Sequence, residues 1–214
     1  MHLKGKAGWK RREKHMRDTS ARLKKTKEAI VGALFALLEN NNYGEITIQE
    51  IAGVCDITRR TIYRHFHTKE EMLQYSFTEY TDRLAEYILQ KEPKNFRELC
   101  VLYFSFWEEN MEYLNKLRKA GILYKFGDRF EGLVHRMAGR IKHQNRMSDQ
   151  EYQRYLEQYK FHFAYRTAGF WRVTELWSGE KKRQSAAEMA EIMVEIANGK
   201  SVGPRGRTSW FFVH

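Results

Sequence analysis

Apolar residues Ile30, Ala33, Leu34, Leu37 and Leu38 recur at i, i+3, i+4, i+7 and i+8, the spacing that gathers side chains on one helical face. They predict a first helix from about Ala21 to Asn40, stopped by Asn40, Asn41, Asn42 and Gly44, residues suited to turns. Thr47 with Glu50 three residues on forms a capping-box pattern, in which each side chain satisfies a free amide of the first turn, and it opens a short helix from Ile48 to Cys55. Thr58 caps a third helix, Arg59 to about Phe66. Thr68 with Glu71 repeats the box and opens a long fourth helix, carrying Met72, Leu73, Phe77, Tyr80, Leu84, Tyr87 and Ile88 up to Pro93. Beyond it the pattern stays helical and turns aromatic. Asn95 caps Phe96 to Trp107, Met111 to Ala120 makes a shorter helix, and Asp128 to Arg146 another. Boxes at Ser148/Glu151 and Ser185/Glu188 open two more, the first lasting to about Trp177 and the second stopping near Gly199. With no alternating strand pattern, the expected fold class is all-α.

Composition narrows the function classes. A chain of 214 residues with 42% hydrophobic content can bury a sizeable core as one or two domains. No apolar run approaches the length of a membrane span and the N-terminus lacks an apolar signal core, so no membrane partner and a cytoplasmic location are expected. Cys55 and Cys100 are expected as reduced thiols, Cys55 as a buried and inert one. The net charge of +11 favours anionic partners, and its distribution is uneven. Within residues 1–27 eleven Lys and Arg stand against Glu13 and Asp18, leaving +9 in that stretch. Residues 1–20 therefore read as a basic arm, either a solvated tail or a DNA contact.

The two short helices joined by a tight turn have the layout of a helix-turn-helix. Ile48, Ile51 and Ala52 of the first face inward, with small Ala52 and Gly53 allowing close packing. Ile62 and Phe66 of the second are buried, leaving polar-headed Arg59, Arg60, Thr61, Tyr63, Arg64 and His65 to face a polar partner. The major groove of DNA admits such a helix, where arginine pairs with guanine acceptors and a threonine methyl touches that of thymine. Arg59, Arg60 and Thr61 are expected to read bases and Tyr63 and His65 to grip phosphates, with Thr47 and Lys69 at helix starts adding phosphate contacts and Thr58 and Arg64 also counted as DNA-binding. His65 and His67 form an H-x-H with no cysteine or carboxylate constellation beside it, so no metal and no cofactor are expected. No nucleophile–base motif, P-loop, HExxH or dinucleotide glycine pattern occurs, which points away from an enzyme.

The stretch from Lys27 to Leu73, above all "TIQEIAGVCDITRRTIYRHFHTKEEML", resembles the DNA-binding region of TetR-family transcriptional regulators. That pattern runs Thr-capped helix, Ile-Ala, turn, Tyr-x-x-Phe, then Lys-Glu-Glu, matched by Tyr63, Phe66, Lys69, Glu70 and Glu71. A looser likeness at "YRTAGFWRVTELWSGEKKRQSAAEMAEIM" is to a C-terminal subgroup that includes the activator of dihydroxyacetone kinase genes. The resemblance implies a homodimer with a three-helix DNA-binding domain and a larger helical domain for effector binding and dimerisation. The corresponding segments are 1–20 arm, 21–67 DNA-binding domain, 68–199 effector and dimerisation domain, and 200–214 flexible tail. It further implies a ligand-responsive repressor on a pseudo-palindromic double-stranded operator, its fourth helix shifting when a small molecule binds. The alternative is a dimer that activates transcription through a partner protein.

In the helix opened by Ser148, one stripe holds Leu156, Tyr159, Phe163, Thr167, Phe170, Thr174 and Trp177, and a second holds Phe161, Ala164, Ala168 and Trp171. The second stripe, with Met189, Ile192, Met193 and Ile196, is expected to meet a partner helix across a two-fold axis, or else to belong to an ordinary monomer core. Tyr103, Trp107, Tyr124 and Phe130 are candidate walls of an apolar effector pocket, with His135, His162 and Arg166 as polar orienters. Aromatics at this spacing are equally the makings of plain core.

Overall fold

The computed structural model describes residues 3–127, 130, 132 and 146–199, and every regular element among them is helical. The chain divides into two units, Met1–Ser76 and Phe77–His214.

The first unit is built on α1 (Leu3–Leu37), α2 (Ile48–Val54), α3 (Arg59–His65) and the opening turns of α4 (Lys69–Lys91). Ile30, Leu34 and Leu38 of the α1 stripe are buried with Ile51, Ala52, Ile62, Phe66, Met72 and Leu73, so each short helix contributes an apolar face to one core. The Thr47 hydroxyl accepts from the Glu50 amide, and the Glu50 carboxylate accepts from the Thr47 amide at 2.7 Å, completing the box. Thr58 caps α3 through the Thr61 amide at 3.1 Å. Between α2 and α3 the backbone turns at Asp56 with φ 50°, a left-handed conformation that aspartate tolerates better than most residues.

The second unit holds the rest of α4 with α5 (Phe96–Glu109), α6 (Met111–Lys119), a 3-10 turn at Leu123–Phe126, α7 (Asp149–Gly179) and α8 (Ala186–Ala197). Helix α8 packs along α5, and α6 packs against both α5 and α7. The core is a continuous aromatic cluster. Trp171 stacks on Phe126 at 4.7 Å, Phe126 and Tyr103 each meet Trp107 edge-on, and Phe104 meets Trp177 in the same manner at 5.0 Å. Arg118 closes the C-terminus of α7 by donating to the Glu175 and Ser178 carbonyls at 2.7 and 2.8 Å.

Several expectations shift against these coordinates. Helix α1 begins at Leu3, not near Ala21, so the backbone of the basic stretch continues the helix. Lysine and arginine are good helix formers, and no proline interrupts it. Gly53 is exposed, and an added Cβ there would meet nothing within 4 Å, so it does not set the helix spacing. The Thr68 box is only half formed: its hydroxyl accepts from the Glu71 amide, while the Glu71 carboxylate accepts from the His67 amide one residue further back. Trp171 is buried in its own unit's core, not on a partner face, and Met189 and Met193 are buried likewise. The expected helix Asp128 to Arg146 and the 200–214 tail lie outside the described residues.

The complete boxes carry a pH dependence. The carboxyls of Glu50 and Glu188 are held below their ordinary value chiefly by backbone amides of their caps, and that of Glu151 chiefly by the Ser148 hydroxyl. A carboxylate with a depressed folded-state pKa contributes stability above the unfolded value and loses it as pH falls through the folded one. The melting temperature should stay level down to the unperturbed value of about 4.5 and fall below it. Thermal scans between pH 7 and 3, repeated with Glu188→Gln, check this: the variant should start lower at pH 7 and show a shallower acid decline.

Candidate nucleic-acid interface

Helix α3 is anchored on one side and open on the other. Ile62 is fully buried and Phe66, its C-terminal cap, is nearly so, while Arg59, Arg60, Tyr63 and Arg64 are exposed. None of these four forms an ion pair with another described residue. The two anchors thus turn three guanidinium groups and a phenol to solvent from a helix of seven residues. A hollow of about 430 Å³ adjoins its start, lined by Gln49, Ala52, Gly53, Asp56, Ile57, Thr58 and Arg59.

The cap hydroxyls at the helix starts are already engaged. Thr47 is held by Glu50, and Thr58 both caps α3 and lies 3.0 Å from the Thr61 hydroxyl, which leaves Thr61 half-buried with its methyl as the remaining group. His65 is half-buried, and its Nε2 has no hydrogen-bond partner. Burial, then Arg64 and Lys27, lowers its pKa below the ordinary histidine value, so near neutral pH it is an uncharged ring and not a cationic phosphate grip.

Lys69 departs furthest from its expected role. Its ammonium does not face outward to a phosphate but donates to the carbonyls of Tyr43, Gly44 and Ile46 at 2.7, 3.3 and 2.5 Å, while lying 4.9 Å from the centre of the Tyr43 ring. The Tyr43 hydroxyl in turn donates to Glu70 at 2.9 Å. Both residues of this Lys-Glu pair thus tie the loop after α1 to the start of α4. Lys27 acts similarly from α1, its ammonium 5.5 and 5.3 Å from the Phe66 and Tyr75 rings. Lys27 and Tyr43 are positioning residues that the sequence pattern did not single out, because their partners lie far along the chain, and Glu70, noted only as part of the Lys-Glu-Glu match, joins them through Tyr43.

Comparison with known proteins bears on this arrangement. The profile of bacterial regulatory proteins of the tetR family matches residues 30–75, which span the α1 core stripe, α2, α3 and the first turns of α4. Residues 30–75 therefore carry a TetR-type DNA-binding domain. A solved TetR transcriptional regulator from Streptococcus agalactiae 2603V is similar in fold at a TM-score of 0.57 and 20% identity, covering 85% of this chain and 98% of that one. The dihydroxyacetone kinase operon activator DhaS gives a TM-score of 0.49 at 20% identity over 82% of this chain and 95% of its own. No curated protein matches the sequence.

Outside the matched region, the fold separates the candidate effector residues. Tyr103, Trp107 and Phe130 are buried together, with Tyr103 edge-on to Trp107 at 6.3 Å and to Phe130 at 5.7 Å. Tyr124 is 64% exposed and is no pocket wall, because the 3-10 turn that carries it buries Leu123 and Phe126 instead. His162 and Arg166 lie exposed on α7, and His135 is outside the described residues. Among the described residues no group of three or more His, Cys, Asp or Glu is placed to hold a metal, and no helix is long and apolar enough to cross a membrane. Cys55 donates its thiol hydrogen to the Ile51 carbonyl, and burial, its leading influence, raises its pKa.

Proposed function

We propose that this protein is a TetR-family regulator that binds a pseudo-palindromic operator as a homodimer and represses transcription until a small molecule occupies its second unit. The observation that carries the reading is α3 itself, with Ile62 and Phe66 as anchors and Arg59, Arg60, Tyr63 and Arg64 exposed and unpaired among the described residues. Arg59 and Arg60 read base edges, the Thr61 methyl adds an apolar contact, and Tyr63 and Arg64 lie against phosphates. Residues 1–20 add phosphate contacts that strengthen binding without reading sequence.

The dimer reading rests on an apolar stripe. Phe161, Ala164, Tyr165 and Ala168 follow one another along α7 at helical spacing and are exposed, Phe161 and Tyr165 each by 77%, and exposed Leu176 lies beyond Arg172 on the same side. Ile192 and Ile196 present a second exposed apolar pair on α8. Monomeric proteins rarely leave exposed apolar patches of this size uncovered, and a second copy of the same face would cover them.

Selection of bound fragments from random DNA tests the central assignment. The native protein should enrich a pseudo-palindrome, and Arg60→Ala should weaken that site by roughly ten- to a hundredfold and relax the preference at one position in each half-site, as losing a bidentate base contact does. Deletion of residues 1–20 should lower affinity and leave the preference unchanged. Binding that enriches no sequence and only follows salt would remove the regulatory reading.

A further inference from the structure

Gln49 stands exposed in the first turn of α2, and its amide forms no hydrogen bond with another described residue. One turn further along the helix come Ala52 and Gly53, too small to screen it, and a Cβ added at Gly53 would meet nothing within 4 Å. The space they leave is the hollow of about 430 Å³ that runs from Gln49 past the turn at Asp56 and Ile57 to Thr58 and Arg59, where α3 begins.

The polar groups around this hollow divide into engaged and open ones. The Thr58 hydroxyl is held by the Thr61 amide and hydroxyl, and the carbonyls of Ala52 and Gly53 accept from the amides of Ile57 and Asp56 at 3.1 and 3.4 Å. The Gln49 amide, the Asp56 carboxylate and the Arg59 guanidinium are open, each on an exposed side chain without a hydrogen bond or ion pair to another described residue. Asp56 and Arg59 together leave the hollow without net charge, so it is a poor seat for a phosphate and a better one for the neutral edge of a base. An amide both donates and accepts. That matches adenine in the major groove, where N7 accepts and the N6 amino group donates, whereas guanine presents acceptors alone at N7 and O6 and would turn them toward a carboxylate.

We infer that Gln49 reads an adenine in the operator, beside the base pair contacted by Arg59, and that Asp56 discriminates against guanine at the same place. The inference rests on the assignment of α3 to the major groove and extends the reading surface across the turn onto α2. Gly53, which does not set the spacing of the two helices, then has a part in specificity, because a larger side chain there would stand in the path between Gln49 and the base.

Fragments selected from random DNA by the native protein and by Gln49→Ala provide the first test. The variant should keep the pseudo-palindrome, lose the preference for adenine at one position in each half-site and weaken the selected site by about tenfold. Asp56→Asn, which keeps a residue tolerant of the left-handed turn, should admit guanine at that position. A second test needs no variant to fold. Replacing the adenine by 7-deazaadenine, in which carbon stands in place of N7, should weaken native binding about fivefold, and Gln49→Ala should not tell the two duplexes apart. The inference is overturned if Gln49→Ala weakens all sequences alike, as loss of a phosphate contact would, or if the native protein binds the 7-deazaadenine duplex as well as the natural one. Native protein that enriches no sequence removes the proposed operator binding and this inference with it, whereas an enriched pseudo-palindrome that Gln49→Ala leaves intact removes the inference alone.

Discussion

Replacing Lys69 with methionine should lower the melting temperature of the first unit by about 10 °C, the largest stability loss expected of any single polar substitution in it. Methionine keeps the length and apolar stem of the side chain but removes its charge and all of its donors. Three carbonyls, those of Tyr43, Gly44 and Ile46, then lose a shared cationic partner. A hydrogen bond to a charged group contributes roughly 1.5–3 kcal/mol, and the half-exposed site places the loss at about 2 kcal/mol in all, since water can reach part of the loop. For a unit of this size each kcal/mol shifts the midpoint by about 4–8 °C. Lys69→Arg should not restore the native value, because a planar guanidinium cannot converge on three carbonyls as a compact ammonium does. Calorimetry of the full chain, scored on the transition that also responds to Ile62→Val, reads the effect. A midpoint unchanged by Lys69→Met would mean the ammonium is free in solution and available to phosphate after all.

Leu176→Glu combined with Ile196→Glu should convert the protein to a monomer and reduce operator affinity by about a hundredfold or more. Both side chains are more than half exposed, so the carboxylates are hydrated in the single copy and disturb no core. In the proposed dimer these carboxylates would enter an apolar interface, where like charges repel and lose water. Two half-sites bound by a linked pair gain an affinity factor of about 10²–10⁴ over one, and that factor disappears with the dimer. Sedimentation velocity gives the mass and a fluorescence titration with a full-length operator gives the affinity. A double variant that remains dimeric would place the interface elsewhere.

Residues whose partners lie within a turn were legible in the sequence, and those whose partners lie far away were not. The boxes at Thr47/Glu50, Ser148/Glu151 and Ser185/Glu188 formed as read because both members sit three positions apart on a chain that is already helical. The burial of Ile62 and Phe66 followed from i, i+4 spacing on a helix too short for ambiguity. Lys69 resembled a phosphate ligand because a cation at a helix start fits that role, and nothing local announces three carbonyls more than twenty residues back. Trp171 was misplaced for a different reason: on a helix apolar around much of its circumference, periodicity alone does not say which stripe faces the unit's own core. Tyr124 was misplaced because it lies between the expected helices, where no periodicity orients a side chain, and the 3-10 turn there buries Leu123 and Phe126, three apart, and leaves Tyr124 outside.

The continuity of α1 from Leu3 into the buried stripe at Ile30 also bears on how quickly the protein finds its site. At 1.5 Å per residue its 35 residues make a rod about 50 Å long, most of it preceding the first core position. A random-coil tail of the same charge would lose conformational freedom each time it lay down on a polyanion. A helix that is ordered beforehand loses far less, so in the proposed DNA-binding role its cations would act as an antenna, drawing the protein onto DNA at random positions from which it slides. In that proposed role the arm would govern search kinetics, and its contribution should fade with added salt while the discrimination proposed for α3 persists.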